Sequence, residues 1–308
     1  MADIQKEIWI QDIEKAIFPA SSFVRRSVNH DEYVSNKTVH IPQAGTIADV
    51  EKDRAVLPAT VTQRTDTDRT YNLHEYTTGT MLITDLEEMQ VNYNKRNDVL
   101  SQHSEKLMKR IGDETAVAWA GVGLISAGGQ IRLTTGTATA NIAPPSGTGN
   151  RDAVDLADLA ACAAKLDADD MPMEGRYLLM PSTMYHNMLI ENSAELLNSQ
   201  YMNNGNLPTG VVANIWGFNI IVRSNVVVYA DAATPTIKAV GAAAAASDCF
   251  GAIGWHESAV CNALGQTKVF ADSDNPAYYG SLFSAMVMHG ATTLRTDGKG
   301  IVTLVQEA

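Results

Sequence analysis

The segment Arg176–Asn225 places the tightest constraint on what this chain of 308 residues can fold into. It opens with an apolar run that ends at Pro181, and this pattern predicts a buried strand. A short helix that contains Tyr185 follows, and then a polar loop. An apolar strand interrupted by Gly217 closes the segment at a polar Ser224–Asn225 turn. This order of a strand, a helix, a loop and a glycine-kinked strand matches no catalytic signature.

The length and composition are those of a folded soluble protein with a large core. Hydrophobic residues make up 45% of the chain and charged residues 19%. The net charge of −12 argues against a protein whose main task is to grip nucleic acid, because such proteins need Lys and Arg to neutralise phosphates. An acidic surface is most simply explained by solubility, and it does not exclude a protein that encloses DNA without binding it tightly.

The cysteines indicate a reducing compartment. Cys162, Cys249 and Cys261 are far apart in the sequence and form no CxxC pair, so we interpret them as small buried side chains. The stretch Met1–Ile10 contains acids and no apolar core, which predicts no signal peptide. Since no run reaches about 18 apolar residues, we expect no membrane-spanning segment.

The N-terminal region, residues 1–35, contains a short amphipathic stretch that ends at Pro19. Its apolar residues recur at helical spacing. Such a helix packs either on its own domain or on a neighbouring chain, and the sequence leaves both alternatives open. The apolar residues of the stretch are Ile4, Ile8, Trp9, Ile13 and Ile17.

Residues 36–80 are predicted to form a long hairpin. Val39–Ile41 has the character of a strand, and Tyr71–Tyr76 is the expected returning strand. Between them, acids and bases are densely mixed and core-forming residues are few. A hairpin of this kind is poorly stable alone. It therefore packs either on its own body or on another subunit.

Two helices are predicted from apolar stripes at helical spacing. The second begins at Arg151, with Asp152 or Asp155 as its N-cap, and ends before Pro172. The first lies within residues 84–122 and is the longest helix that the pattern predicts. Its core-facing stripe consists of Leu100, Leu107, Ile111 and Ala118.

Apolar strands dominate the last part of the chain. They include Cys249–Ile253, Leu282–His289 and Ile301–Val305, and Asp297–Gly298 predicts a hairpin turn before the last of these strands. Strands are many, helices are few but long, and strand and helix do not alternate regularly. The pattern favours an α+β fold over a doubly wound parallel sheet.

The search for catalytic or metal-binding residues finds no cluster. The seven histidines are scattered, and none forms an HExxH motif or lies beside a cysteine pair. The glycines from Gly121 to Gly129 follow a helix and lack the closing Lys-Ser or Lys-Thr of a phosphate loop. Asp169–Asp170 and Asp272–Asp274 lack the pattern of a calcium loop. We therefore predict that the chain is no enzyme and holds no cofactor or metal.

The ordered set of elements resembles the major capsid protein of tailed bacteriophages, which has the Hong Kong 97 fold. The resemblance is a pattern over nearly the whole chain, and four pieces are named for it. They are Arg176–Pro181, Trp216–Asn225, Cys249–His256 and the closing strands of Lys268–Val305. Each piece is weak alone, and their order is the specific feature.

The resemblance implies a division of the α+β chain into four regions. Subunits of this family have an N-terminal arm, an extended loop, a peripheral domain with a long spine helix, and an axial domain. The arm is expected at residues 1–35, the extended loop at residues 36–80 and the axial domain at residues 151–264. The peripheral domain takes residues 81–150 and 265–308, with its spine helix at about 94–121.

The implied function is self-assembly into an icosahedral head that encloses double-stranded DNA without reading its sequence. The expected partners are copies of the same chain in hexamers and pentamers, portal and scaffolding proteins, and decoration proteins as a further class. Assembly is expected in the cytoplasm of the host bacterium, without a membrane. Two alternatives stay open: an encapsulin-type nanocompartment, which shares the fold, and an α+β enzyme with a site built from distant residues.

Contacts between subunits are assigned to charged residues of the arm and the extended loop. A loop that crosses a neighbour can pair acids with bases, each exposed pair contributing under about 1 kcal/mol. Some family members cross-link a Lys to an Asn of another subunit, but nothing marks Lys37 or Lys52 as activated, so we expect no cross-link. The predicted contact residues are Arg25, Arg26, Asp49, Glu51, Lys52, Asp53, Arg54, Arg64, Asp66, Asp68 and Arg69.

Overall fold

The computed structural model describes residues 22–35, 37–43, 50–54, 58, 61, 63–84, 95–145, 147–193, 214–231 and 233–307. The helices of this part are α1 (Lys95–Trp119), α2 (Leu156–Ala168) and α3 (Ser182–Glu191). Its strands, in chain order, are β1 (Val28–Asn29), β2 (Val34–Ser35), β3 (Thr38–Gln43), β4 (Thr67–Asn72), β5 (His74–Thr77), β6 (Met81–Thr84), β7 (Ile131–Leu133), β8 (Ala138–Ala140), β9 (Asn150–Asp152), β10 (Arg176–Pro181), β11 (Asn214–Ile215), β12 (Phe218–Arg223), β13 (Val227–Tyr229), β14 (Cys249–His256), β15 (Val260–Asn275), β16 (Gly280–Thr293) and β17 (Ile301–Val305).

Most of these strands belong to two large sheets. The first sheet runs β1–β15–β16–β5, and β6 also pairs with β16. The second sheet runs β11–β12–β10–β14–β17–β7, and β13 also pairs with β14. Helix α1 packs on β16, while α2 packs on β17 and α3 on β10. Helices and strands are thus mixed without regular alternation, and the predicted α+β class is confirmed.

The first half of the segment Arg176–Asn225 folds as its sequence predicts. Its opening strand is β10 and its helix is α3. β10 pairs in parallel with β12, so α3 lies in the crossover of a βαβ unit. The polar loop with Gly205 and Pro208 lies outside the described residues.

The prediction of a glycine-kinked strand is wrong, because Trp216 and Gly217 form a two-residue hairpin turn. Ile215 pairs with Phe218 across this turn. The φ angles of Trp216 and Gly217 are 51° and 80°, and positive φ at both positions is what a type I′ turn needs. A bulky residue rarely adopts this conformation, so the pattern gave no signal for the turn.

The predicted stripe of α1 is correct at Leu107 and Ile111 and wrong at Ala118. Leu107 and Ile111 are buried, whereas Ala118 is exposed and Trp119 is buried in its place. The buried face turns around the helix towards its C-terminal end, because Trp119 packs there against the rings of Phe23 and Trp255. The side chain of Leu100 lies outside the described residues.

Helix α2 begins later than predicted. Asp155 is its N-cap, and the backbone N–H of Asp155 donates to the carboxylate of Asp158 at 3.2 Å. Of the two predicted caps, Asp155 is therefore correct. Arg151 and Asp152 belong instead to β9, which pairs with β8.

The turn at Asp297–Gly298 is no β-hairpin, which corrects the prediction. It connects β16 in the first sheet to β17 in the second sheet, so its two strands do not pair. β7 and β17 come from the predicted peripheral ranges, yet they lie in one sheet with β10 and β14 from the predicted axial range. The four domain boundaries stay predictions.

An aromatic joint, defined as Phe23, Trp119 and Trp255, connects the N-terminal segment, α1 and the second sheet. The ring centroids of the two tryptophans lie 5.5 Å apart, and that of Phe23 lies 5.8 Å from Trp119 and 6.3 Å from Trp255. The indole N–H of Trp119 donates to the Cys261 carbonyl at 3.3 Å, which adds β15 of the first sheet. The indole N–H of Trp255 donates to the Arg26 carbonyl at 2.8 Å.

We expect Phe23→Ala to lower the free energy of unfolding of the unassembled subunit by about 3–5 kcal/mol, because it leaves a cavity between two buried indoles. The control is Tyr278→Ala, which removes an aromatic side chain that is exposed and should cost about 0.5 kcal/mol or less. Urea unfolding measures both. Equal costs for the two substitutions would show that the joint does not hold the N-terminal segment.

Candidate assembly surfaces

A hairpin of β3 and β4 lies against the body and leads into a segment whose described residues are exposed. The strands pair from Thr38 with Asn72 to Gln43 with Thr67. At the base, buried Val39 packs with Leu73 and Ala263. The side-chain amide of Gln43 donates to the Leu294 carbonyl at 2.6 Å. These contacts fix where the hairpin leaves the body.

Beyond the hairpin strands, the described residues are almost fully exposed. Val50 is 99% exposed and Val61 is 95% exposed. Glu51, Lys52 and Asp53 are exposed beside them. The combination of exposed valines and mixed charges leaves apolar area in water that a second surface could cover.

Several of the predicted contact charges pair within the chain. Arg54 lies 3.4 Å from Glu51, and Arg64 lies 2.5 Å from Asp66. Exposed pairs of this kind stabilise a protein by under about 1 kcal/mol each, so they can exchange for pairs with another subunit. Their role between subunits stays a prediction, and Asp49 lies outside the described residues.

The two predicted charges on β4, Asp68 and Arg69, contact groups within the same chain. The carboxylate of Asp68 lies 2.7 Å from His40 Nδ1 on the paired strand. The guanidinium of Arg69 donates to the hydroxyl of Thr293 at 3.2 Å and is half-buried. Arg69 therefore fastens the hairpin to the end of β16, a contact that its sequence position did not reveal.

The N-terminal segment is fixed to the body from Ser22 onwards. β1 adds in parallel to the edge of β15, with Val28 opposite Cys261. The side-chain amide of Asn262 donates to the Val24 carbonyl at 3.0 Å and to the Ser27 hydroxyl at 2.6 Å.

The two arginines of this segment differ in their contacts. The guanidinium of Arg26 lies over the ring of Tyr177, 5.6 Å from its centroid. It therefore has a role within the chain besides any contact with a neighbour. Arg25 is exposed, and its predicted contact with a neighbour stays a prediction.

Sequence reasoning missed a clamp between α1 and the second sheet. Arg223, at the end of β12, forms a 2.8 Å ion pair with Asp113 of α1. Its guanidinium also donates to the Lys109 carbonyl at 3.1 Å and lies 5.7 Å from the ring centroid of Phe23. Sequence patterns could not predict this clamp, since Arg223 and Lys109 lie 114 positions apart in the sequence.

The buried charges have structural partners. The guanidinium of Arg176 is fully buried and donates to the Asp167 carboxylate and to the Met171 carbonyl, both at 2.6 Å. Asp169 pairs with Lys165 and accepts the Gly300 N–H at 3.1 Å. These contacts hold loops together. They also compensate the buried charges, because a buried charge without a partner is strongly destabilising.

Four buried titratable groups with displaced pKa values lie on four different elements of the core. Burial raises the pKa of Cys162 in α2 to about 12 and that of Cys261 in β15 to about 11. Burial also lowers the pKa of His289 in β16 to about 4 and raises that of Tyr229 in β13. Desolvation is the leading cause in each case, as is usual for groups buried in a core.

Metal-binding groups and membrane-spanning helices are absent from the described part of the chain. There, no group of three or more His, Cys, Asp or Glu side chains is placed to hold a metal ion. None of the helices described is long and apolar enough to cross a membrane.

A family model described as phage capsid protein matches residues 13–306, and the chain belongs to this family. The resemblance to phage capsid proteins is thus confirmed, and the chain is a structural protein. No curated protein matches it.

Solved phage capsids share the fold over nearly the whole chain. The capsid of cyanophage P-SCSP1u is 18% identical, with 91% of this chain and 86% of that chain covered, at a TM-score of 0.63. The capsid of Ralstonia phage GP4 is 11% identical, with 92% and 87% covered, at 0.63. The capsid of cyanophage Pam1 is 11% identical, with 92% and 93% covered, at 0.62.

We expect His289 to make the subunit less stable in acid. Its folded pKa of about 4 lies below the ordinary value of 6.5. As the pH falls below 6.5, the unfolded chain therefore binds a proton that the folded chain excludes, and stability is lost down to about pH 4. Between pH 7 and pH 5 this loss is about 2 kcal/mol.

Urea unfolding of the unassembled subunit at both pH values checks this prediction. The control is His289→Asn, which does not titrate, so its stability should fall by about 2 kcal/mol less than that of the wild type over the same interval. The same pH dependence in both proteins would contradict the assignment, since other buried histidines would then be responsible.

Proposed function

We propose that this chain is the major capsid protein that builds the icosahedral head of a tailed bacteriophage around double-stranded DNA. The observation that carries the proposal is the family match over residues 13–306. The fold shared with the capsids of cyanophage P-SCSP1u and cyanophage Pam1 supports it over more than nine tenths of the chain. Assembly from many copies follows from membership of a capsid family.

The proposed division of the subunit follows the resemblance. Residues 1–35 are the arm, residues 36–80 the extended loop and residues 151–264 the axial domain, while residues 81–150 and 265–308 form the peripheral domain. The hairpin of β3 and β4 within residues 36–80 and the long α1 within residues 94–121 support this division. β17 and β7 continue the sheet of the axial strands at one end, which suggests that the two domains share one core.

The proposed partners follow from shell geometry. Copies of the chain form hexamers and pentamers through contacts that close by symmetry. Portal and scaffolding proteins join them, decoration proteins are a further class of partner that the sequence leaves open, and assembly takes place in the host cytoplasm. The net charge of −12 suits a wall that encloses DNA without binding it tightly.

The hairpin is the element that we propose to lie on a neighbouring subunit. Val50 and Val61 would lose their exposure there, and the mixed charges would find partners across the contact. The charged residues that we propose for contacts between subunits are Arg25 and Arg26 of the N-terminal segment and, within the extended loop, Asp49, Glu51, Lys52, Asp53, Arg54, Arg64, Asp66, Asp68 and Arg69.

Electron microscopy of particles purified from infected cells tests the function. Closed shells of this chain that enclose DNA are expected. Shells that enclose an enzyme would instead identify a nanocompartment. A chain that stays monomeric in every condition, even beside phage scaffolding proteins, would contradict the proposal.

We expect the double variant Val50→Asp, Val61→Asp to fold normally and fail to assemble. Both side chains are exposed in the single subunit, so the change in its free energy of unfolding should be within about 0.5 kcal/mol. A charge at either position would oppose burial against a neighbour. Sedimentation measures assembly, and urea unfolding measures the subunit.

The matched control is Val122→Asp, which places the same charge on an exposed valine outside the hairpin. This variant should assemble. If the double variant formed as many shells as the wild type, Val50 and Val61 would make no contact between subunits.

A further inference from the structure

The long strand β15 has an open edge. β1 pairs with this edge only at Cys261 and Asn262. The next backbone N–H on this edge, that of Leu264, donates to the carboxylate of Asp31 at 2.6 Å. From residue 265 to residue 275, no strand in the described part of the chain pairs with the edge of β15 that faces away from β16. An unpaired strand edge offers backbone donors and acceptors to another strand.

The open edge has one regular window. The pairing of β15 with β16 shifts register between Leu264 and Thr267 and again between Asp272 and Asn275. Such irregularities bend a strand and interrupt pairing. The window Thr267–Asp272 between them is as long as a typical strand. An added strand would therefore pair within this window.

The window has two different faces. Thr267 and Val269 are buried on the side of the core, whereas Lys268, Phe270 and Asp272 are exposed on the other side. Phe270 is 52% exposed although it lies in a sheet. The exposed face thus carries, in order, a base, an aromatic ring and an acid.

We propose that β15 pairs with β15 of a second copy, antiparallel, about a two-fold axis through Phe270. In this register Lys268 of each copy lies opposite Asp272 of the other copy, and the two Phe270 rings lie opposite each other. All of these side chains share one face, so two opposite-charge pairs flank one aromatic pair.

The charges select this register. An axis through Lys268 would place the two lysines opposite each other, and an axis through Asp272 would do the same to the two aspartates. An axis through Val269 would pair no acid with a base within the window. Only the register centred on Phe270 satisfies both charges, and charge complementarity is what fixes register at such contacts.

The pairing rests on the proposed function, because a closed shell of many copies contains two-fold contacts. It would join the first sheets of two subunits into one continuous sheet. Backbone hydrogen bonds across the axis would supply the attachment, and the side chains would supply the specificity.

Phe270→Cys tests the axis by cross-linking. Residues directly opposite in an antiparallel pair have Cβ atoms about 4.5–5.5 Å apart, close enough for a disulfide after a small shift. The native cysteines are buried. Oxidised particles should therefore give disulfide-linked dimers on a non-reducing gel.

The control is Gln266→Cys, on the same exposed face. Its partner position in this register is 274, so the two copies of residue 266 lie about 26 Å apart at roughly 3.3 Å per residue. This variant should give no dimer. Dimers from both variants, or from neither, would overturn the proposed axis.

Charge reversal tests the register. K268D and D272K each place like charges opposite each other twice, and each alone should weaken the pairing roughly tenfold. A mixture of the two variants places opposite charges together again at both positions. Shell yield should fall with either variant and recover when both are expressed together.

Failure of this inference can be told apart from failure of the proposed function. If the wild-type chain forms no shells, the proposed function fails. If wild-type shells form, but Phe270→Cys gives no dimer or the mixed variants show no recovery, the pairing alone is overturned. Lys268 would then act as a charge that guards an unpaired edge.

Discussion

The rings of Phe23, Trp119 and Trp255 meet where the N-terminal segment, the long helix and both sheets come together. One hydrophobic cluster extends from this joint to Ile253 in the second sheet and Val287 in the first. Burial of three large aromatic side chains contributes several kcal/mol, far more than any exposed ion pair in the chain. The placement of the N-terminal segment and α1 against the two sheets therefore depends on this joint.

Around the joint, the surfaces divide into those the chain completes by itself and those it leaves open. The second sheet is covered by α2 and α3, and its central strand β14 is buried throughout. The hairpin of β3 and β4 and the outer edge of β15 lack such cover among the described elements. A subunit that must fit many neighbours needs this combination, because a rigid body fixes the direction in which the open surfaces meet their partners.

Elements with strong local periodicity could be predicted from the sequence, and contacts between distant residues could not. The apolar runs gave β10 and β17, and helical spacing gave α1 and α2. The Trp216–Gly217 turn was missed because tryptophan carries no turn signal. The contact of Arg223 with Lys109 joins residues 114 positions apart, and that of Trp255 with Arg26 joins residues 229 apart. For the assembly surfaces, the sequence located an exposed, charge-mixed hairpin. It could not show that Arg54 pairs with Glu51 inside the chain.

Hydrogen–deuterium exchange on the unassembled subunit and on purified shells tests most directly whether assembly completes the open surfaces of a preformed body. Amides of Cys249–His256 and Ile301–Val305 should be equally protected in both forms. Amides of residues 50–54, and those amides of Thr267–Asp272 that do not bond to β16, should exchange quickly in the subunit and gain protection in the shell. Equal exchange of the last two segments in both forms, or protection of the first two only in the shell, would contradict this division.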